Sequence, residues 1–115
     1  MEIKLRRKAQ IFIIDIEGDM DLYQAYKLKE LVAKMIQKNI AFYVINLEKV
    51  DYIDSSGVGA LLYVHSALKK QKMKLLIANV HGSVKDVINL TQLMDYFNIT
   101  KDVNTAIQEL KPLIS

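Results

Sequence analysis

The sequence predicts an α/β sandwich: a mixed, mostly parallel sheet of about four to five strands packed with about four helices. Strand-like apolar runs alternate with segments of helical periodicity along most of the chain, which requires right-handed crossovers and a parallel sheet. The first two strand-like runs are too close for a helix between them, so they form a hairpin and make the sheet mixed. The 115 residues, 51% of them apolar, suit one core of ordinary size, and we expect a single domain over 1–115.

Residues 3–16 read as two strands. The second, "QIFIIDI", is nearly continuous in apolar character and so is covered on at least one side. "GDMD" interrupts it, and Asp21 is placed to cap a helix whose Ala25, Leu28, Leu31, Val32, Met35 and Ile36 recur at three- and four-residue steps. Asn39 ends that helix. "AFYVINL" is β-branched and aromatic, the strongest strand pattern in the chain, and leads through "EKVDY" into a helix over residues 55 to about 71. "MKLLIANV" supplies another strand, Gly82 and Ser83 open a further helix, "YFNI" reads as a short last strand, and "VNTAIQEL" closes as a helix before Pro112.

Composition removes several classes of function. With no cysteine there is no disulfide framework and no thiolate metal site, which suits a reducing cytoplasm. Sixteen Lys and Arg against thirteen Asp and Glu give a formal charge of +3. These bases are spread over "KLRRK", "KLKELVAKMIQK" and "KKQKMK" without a binding motif, as on solvated helix faces, so no nucleic-acid partner is expected. "IFIIDI" is too short for a membrane span and contains Asp15, so neither a signal peptide nor a membrane segment is expected.

The chemistry concentrates in "VDYIDSSGVGALLYV", where an acid, two serines and two glycines precede an apolar run. In open sheets, sites lie beyond the carboxyl ends of strands. "GDMD" and "DYIDSS" are two such loops, and neighbouring strands would bring Asp19, Asp21, Asp54 and Ser55 to one edge. Asp54 is placed to cap the helix, leaving Ser55, Ser56 and Gly57 in a first turn whose backbone N–H groups lack internal partners and whose dipole favours negative charge. A phosphate cradle needs G-x-x-x-x-G-K-[ST], and no Gly-Lys pair occurs. A hydrolase elbow reads G-x-S-x-G, whereas here the serines precede both glycines. His65, ten residues along the same helix, lies about 15 Å from Ser55 and cannot serve as its base. His81 remains geometrically possible but has no orienting partner in sequence. A phosphate-receiving aspartate of the response-regulator kind lacks the lysine expected close after the "LLIA" strand. A serine modified by another enzyme remains.

Gly57 and Gly59 each cost roughly 1 kcal/mol against alanine inside a helix, so bare backbone is needed here. Gly57, Ala60, Leu61, Val64, Ala67 and Leu68 form one apolar stripe, and seating against the sheet would account for Gly57 but not for Gly59, which points elsewhere. Val58, Leu62, His65 and Lys69 form a second stripe. It is either buried more deeply or a docking surface with Val58 and Leu62 as exposed anchors.

Through "EGDMD", "VINLEKVDYIDSSGVGALL" and "LTQLMDYFNI" the chain resembles, over essentially its whole length, the STAS family, and in particular the stand-alone anti-sigma factor antagonists of bacteria. The middle segment is the specific one. The resemblance implies phosphorylation at Ser55, the serine directly after the aspartate, with Ser56 as its neighbour and alternative. It implies an anti-sigma factor serine kinase as partner, bound when the serine is free and released when it is phosphorylated, and a metal-dependent serine phosphatase that reverses the mark. Asp21, Asp54, Ser56 and Gly57 are expected to take part in partner binding, together with Val58, Gly59 and Leu62. No cofactor and no catalysis by the chain itself are implied. Val58 stands where leucine is usual and Gln92 where glycine is common, departures that leave the identity of the kinase open. A regulator of a non-sigma signalling or secretion pathway is the neighbouring alternative, and a small serine hydrolase is the alternative from another class.

Overall fold

The computed structural model describes residues 2–114. Five strands, β1 (Glu2–Lys8), β2 (Ile11–Glu17), β3 (Phe42–Lys49), β4 (Lys74–Ala78) and β5 (Ile99–Thr100), form one sheet in the order β1-β2-β3-β4-β5. β1 and β2 form an antiparallel hairpin, and every later pairing is parallel. Helices α1 (Leu22–Gln37), α2 (Ser55–Lys70), α3 (Gly82–Leu90) and α4 (Val103–Leu110) connect or follow the strands, and a short 3₁₀ turn covers Lys111–Leu113. The mixed α/β architecture matches the expectation in both strand and helix number.

Strand alternation sorts side chains to two faces. Ile14, Ile16, Tyr43, Ile45, Leu47 and Ile77 point to one, where α1, α2 and α3 close over them in the larger core. Ile11, Ile13, Val44 and Ala78 point to the other, where Ala106, Ile107 and Leu110 of α4 cover them. β2 and β3 are thus buried on both faces, which explains their near-continuous apolar runs. Beyond α4 the second face turns polar. Arg6 donates to Asp15, Asn46 Nδ2 donates to Asp15 at 2.8 Å, and Asn79 Nδ2 donates to Asn46 at 2.8 Å. Burial works to raise the Asp15 pKa, but the hydrogen bonds from Arg6 and Asn46 prevail and hold it below the ordinary carboxylate value.

Helix ends follow local chemistry. The side chains of Asp21, Asp54 and Asp102 accept from the backbone N–H of Gln24, Gly57 and Thr105 at 3.1, 3.0 and 2.8 Å. Asn39 takes φ 59° just past the end of α1, the left-handed geometry that asparagine tolerates. The last strand is shifted from "YFNI" to Ile99–Thr100. Tyr96 and Phe97 are drawn instead into a turn, where both their amides donate to the carbonyl of Leu93 and their rings pack on His65.

Candidate functional site

Because β2 and β3 are adjacent and parallel, their carboxyl ends emerge side by side and deliver α1 and α2 to the same face. The two connecting loops are stitched together. Gly18, at φ 95°, turns the chain out of β2 and donates to Lys49 O at 3.0 Å. Met20 donates to Tyr52 O at 2.9 Å, Asp54 donates to Met20 O at 3.3 Å, and Met20 and Ile53 form a parallel bridge. Asp21 and Asp54 therefore stand on one edge, each capping its own helix, as the sequence led us to expect.

Ser55 follows its cap directly and is exposed in the first turn of α2. Ser56 is half-buried. Gly57 is buried, and a Cβ there would lie 2.6 Å from both the Met20 carbonyl oxygen and Ile53 Cγ1, so this glycine lets α2 seat against the stitched loops. Gly59 is the opposite case, with nothing within 4 Å of the position a Cβ would take. Its bare backbone faces open space, where another chain can come close.

The second stripe of α2 divides. Val58 is only 6% exposed and belongs to the larger core, so it is not an exposed docking anchor; the burial alternative holds for it. His65 is buried too, against Tyr96 and Phe97. Leu62 is half-buried, packed on the core from outside. Periodicity alone could not separate these residues, because the covering side chains come from other elements.

The exposed apolar surface at this edge comes instead from α1. Leu22 and Tyr26 are 71% and 66% exposed, and with Tyr23, Asp21 and Asp54 they line a shallow hollow of about 670 Å³. Lys27 lies over the Tyr23 ring at 4.7 Å. The periodicity of this helix marks its inward positions and not Leu22, Tyr23 or Tyr26. The signal was present: three large apolar or aromatic residues in the first turn and a half, off the core stripe. Tyr52, in the loop before α2, is exposed as well.

His81, the remaining candidate base, is engaged elsewhere, its Nε2 lying 2.8 Å from the Glu48 carbonyl oxygen, which makes that nitrogen the donor. Ser83, not Ser55, is the serine in the neighbouring polar contact, its hydroxyl donating to Asp51 O at 2.5 Å. Among the described residues no three His, Asp or Glu side chains gather as a metal site. What the edge offers is an exposed hydroxyl at the positive end of a helix, bare backbone one turn on and an apolar rim, all on one side of an α/β domain.

The chain belongs to the STAS domain family, whose model matches residues 2–106. An anti-sigma-B factor antagonist of Staphylococcus aureus is 25% identical over 101 residues, covering 88% of this chain and 94% of that one. An anti-sigma factor antagonist from Mycobacterium paratuberculosis superposes with a TM-score of 0.86 over 96% of this chain and 93% of that one, at 17% identity. The Bacillus cell fate determinant SpoIIAA in its phosphorylated form superposes with a TM-score of 0.76 over 95% and 99%, at 18% identity. No helix among the described residues is long and apolar enough to cross a membrane.

Proposed function

We propose that this chain acts as one STAS unit in the cytoplasm as an anti-sigma factor antagonist, binding an anti-sigma factor serine kinase while Ser55 is free and leaving it when Ser55 is phosphorylated. A serine phosphatase that uses a metal restores binding. The observation that carries the reading is the placement of Ser55, exposed in the first turn of an Asp-capped helix and next to the apolar rim of Leu22, Tyr23 and Tyr26. The likeness to the Staphylococcus aureus anti-sigma-B factor antagonist supports it, since the match spans nearly the whole of both chains.

The physics of the switch is local. In the kinase complex the Ser55 hydroxyl lies inside a contact and needs one or two partners. Its oxygen then attacks the γ-phosphorus of ATP, ADP leaves, and the hydroxyl proton passes to the kinase. The new ester carries roughly −1.5 to −2 charges and three acceptor oxygens. The start of α2, worth about half a positive charge, compensates part of this, while Asp54 and Asp21 oppose it. The fold therefore accepts the phosphate, but a complementary surface that fitted a neutral hydroxyl does not. Leaving such charge poorly paired at an interface costs several kcal/mol, and each 1.4 kcal/mol is tenfold in affinity. Gly59 allows the partner's backbone to approach, and Asp21 and Asp54 present the hydroxyl by fixing the two helix starts.

Incubation with candidate serine kinases and ATP, followed by intact-mass measurement and site mapping, tests this. Ser55→Ala is expected to bind the kinase and take no phosphate, and Ser55→Asp to bind at least about tenfold more weakly than the unmodified chain. Undiminished labelling of Ser55→Ala would move the site to Ser56 or elsewhere. Equal affinity of the phosphorylated and free forms for the kinase would end the switch.

A further inference from the structure

The far end of α2 is built differently. Sixteen residues at about 1.5 Å each carry the helix roughly 24 Å from Ser55. There, a cavity of about 500 Å³ opens between the last turns of α2, the turn into β4 and the segment leading to β5. That volume falls within the range of small-molecule sites. Its charged walls are all lysine, Lys69, Lys72 and Lys74, and no carboxylate lines it. Among the described residues none of the three is in an ion pair. Lys72 takes φ 59° in the tight turn between α2 and β4, so the three lysines fall within six residues of one another.

The rest of the wall is largely aromatic and apolar. His65 is 7% exposed, and its Nδ1 is enclosed without a hydrogen-bond partner. The imidazole packs against Tyr96 at 4.8 Å between ring centres and edge-on to Phe97 at 5.6 Å. Leu68, Met73 and Leu75 complete this part. Burial, and then the charge of Lys69, lower the His65 pKa, which favours the neutral ring. The partial negative charge of a helix carboxyl end would oppose an anion, but the Leu68 carbonyl accepts from Gln71 and Met73, and that of Lys69 from Lys72. Three cations with no counter-charge beside an aromatic wall call for a ligand with a multiply charged head and a carbon body, and lysine is suited to phosphate as a point charge.

We infer that this cavity binds a small organic phosphate, its head held by Lys69, Lys72 and Lys74 and its carbon body seated against Tyr96 and Leu68. The site is independent of the partner-switching reading. It lies at the other end of α2, so ligand and partner protein can be bound together.

The test is a titration of the full chain with phenyl phosphate, followed by amide and His65 ring NMR signals, with inorganic phosphate and phenol as parallel probes. Saturable shifts centred on His65, Tyr96 and Lys74 are expected with phenyl phosphate, with inorganic phosphate and phenol each at least about tenfold weaker. Lys69→Gln/Lys74→Gln should weaken phenyl phosphate by about tenfold or more while leaving its thermal unfolding close to that of the parent. Tyr96→Leu, which keeps every charge, should bring phenyl phosphate and inorganic phosphate to similar affinities. The site is refuted by shifts scattered over surface lysines, by no saturable shift at millimolar phenyl phosphate, or by unchanged affinity in the double glutamine variant. Equal binding of inorganic and phenyl phosphate by the parent chain would overturn the organic assignment.

Discussion

The two ends of α2 are made by one helix and are opposites in construction. At its start the residues are small, Ser55, Ser56, Gly57 and Gly59, and an acid caps the turn; at its end His65, Lys69 and Lys70 are bulky or cationic. Both ends agree with the macrodipole, acid at the positive pole and base at the negative. The start is nevertheless flanked by an exposed apolar rim that α1 supplies, whereas the end lies beside β4 and the turn that carries Tyr96. The lesson is that a helix end takes its role from the element packed next to it as much as from its own residues.

The largest effect expected on this contrast is at Val58. If the start of α2 is open only along Ser55 and Gly59, Val58→Asp puts an unpaired charge into the core and should cost on the order of 4 kcal/mol, read as a lowered urea midpoint. A stable, folded Val58→Asp protein that had lost only partner binding would return Val58 to the docking surface. Next comes the apolar rim. Tyr26→Ala should weaken the kinase complex by about tenfold in a binding titration and leave the melting temperature nearly unchanged, as for an exposed aromatic anchor. Removal of a cap is smaller. Asp54→Ala and Asp21→Ala should each cost about 1 kcal/mol of stability in denaturant unfolding, with Asp54→Ala also disturbing the first turn that presents Ser55.

The smallest effect concerns the other end. Burial, and then Lys69, hold the His65 pKa below its ordinary value. The unfolded chain therefore takes up a proton near the ordinary pKa of about 6.5 before the folded chain does. Stability is complete above that pH, declines as pH falls toward the folded pKa, and is level below it. Urea midpoints measured from about pH 7.5 to about pH 5.5 should drop, and His65→Phe, which keeps a ring among Tyr96 and Phe97, should flatten the drop. An equal drop in that variant would mean that another group carries it.

Much of this is legible in the sequence. Ala25, Leu28, Val32 and Met35 repeat at helical steps and are buried; Asp21 and Asp54 precede such patterns and are the caps. The crowding of "GDMD" and "DYIDSS" on one edge followed from two strands with helical crossovers, and it is what the parallel pairing of β2 and β3 produces. Other features were not legible. Val58 and Leu62 share a stripe, yet one is core and the other half-exposed. Leu22, Tyr23 and Tyr26 do share one helix face off the core stripe, but that the face lies beside Asp54 is set only by how α1 packs next to α2. Tyr96 and Phe97 have strand-forming side chains but pack on His65 instead, which left β5 two residues long.

By itself the sequence determined where each helix begins, that the second strand is covered on at least one side, and that Ser55 follows a cap, since caps and periodicities act over three or four neighbouring residues. Only the tertiary structure decided that Gly57 is filled from behind by Met20 and Ile53 while Gly59 stays open, and that three lysines ring an aromatic hollow. Those outcomes depend on which distant segment comes to lie against a given face, and packing between elements far apart in the chain leaves no local pattern in either one.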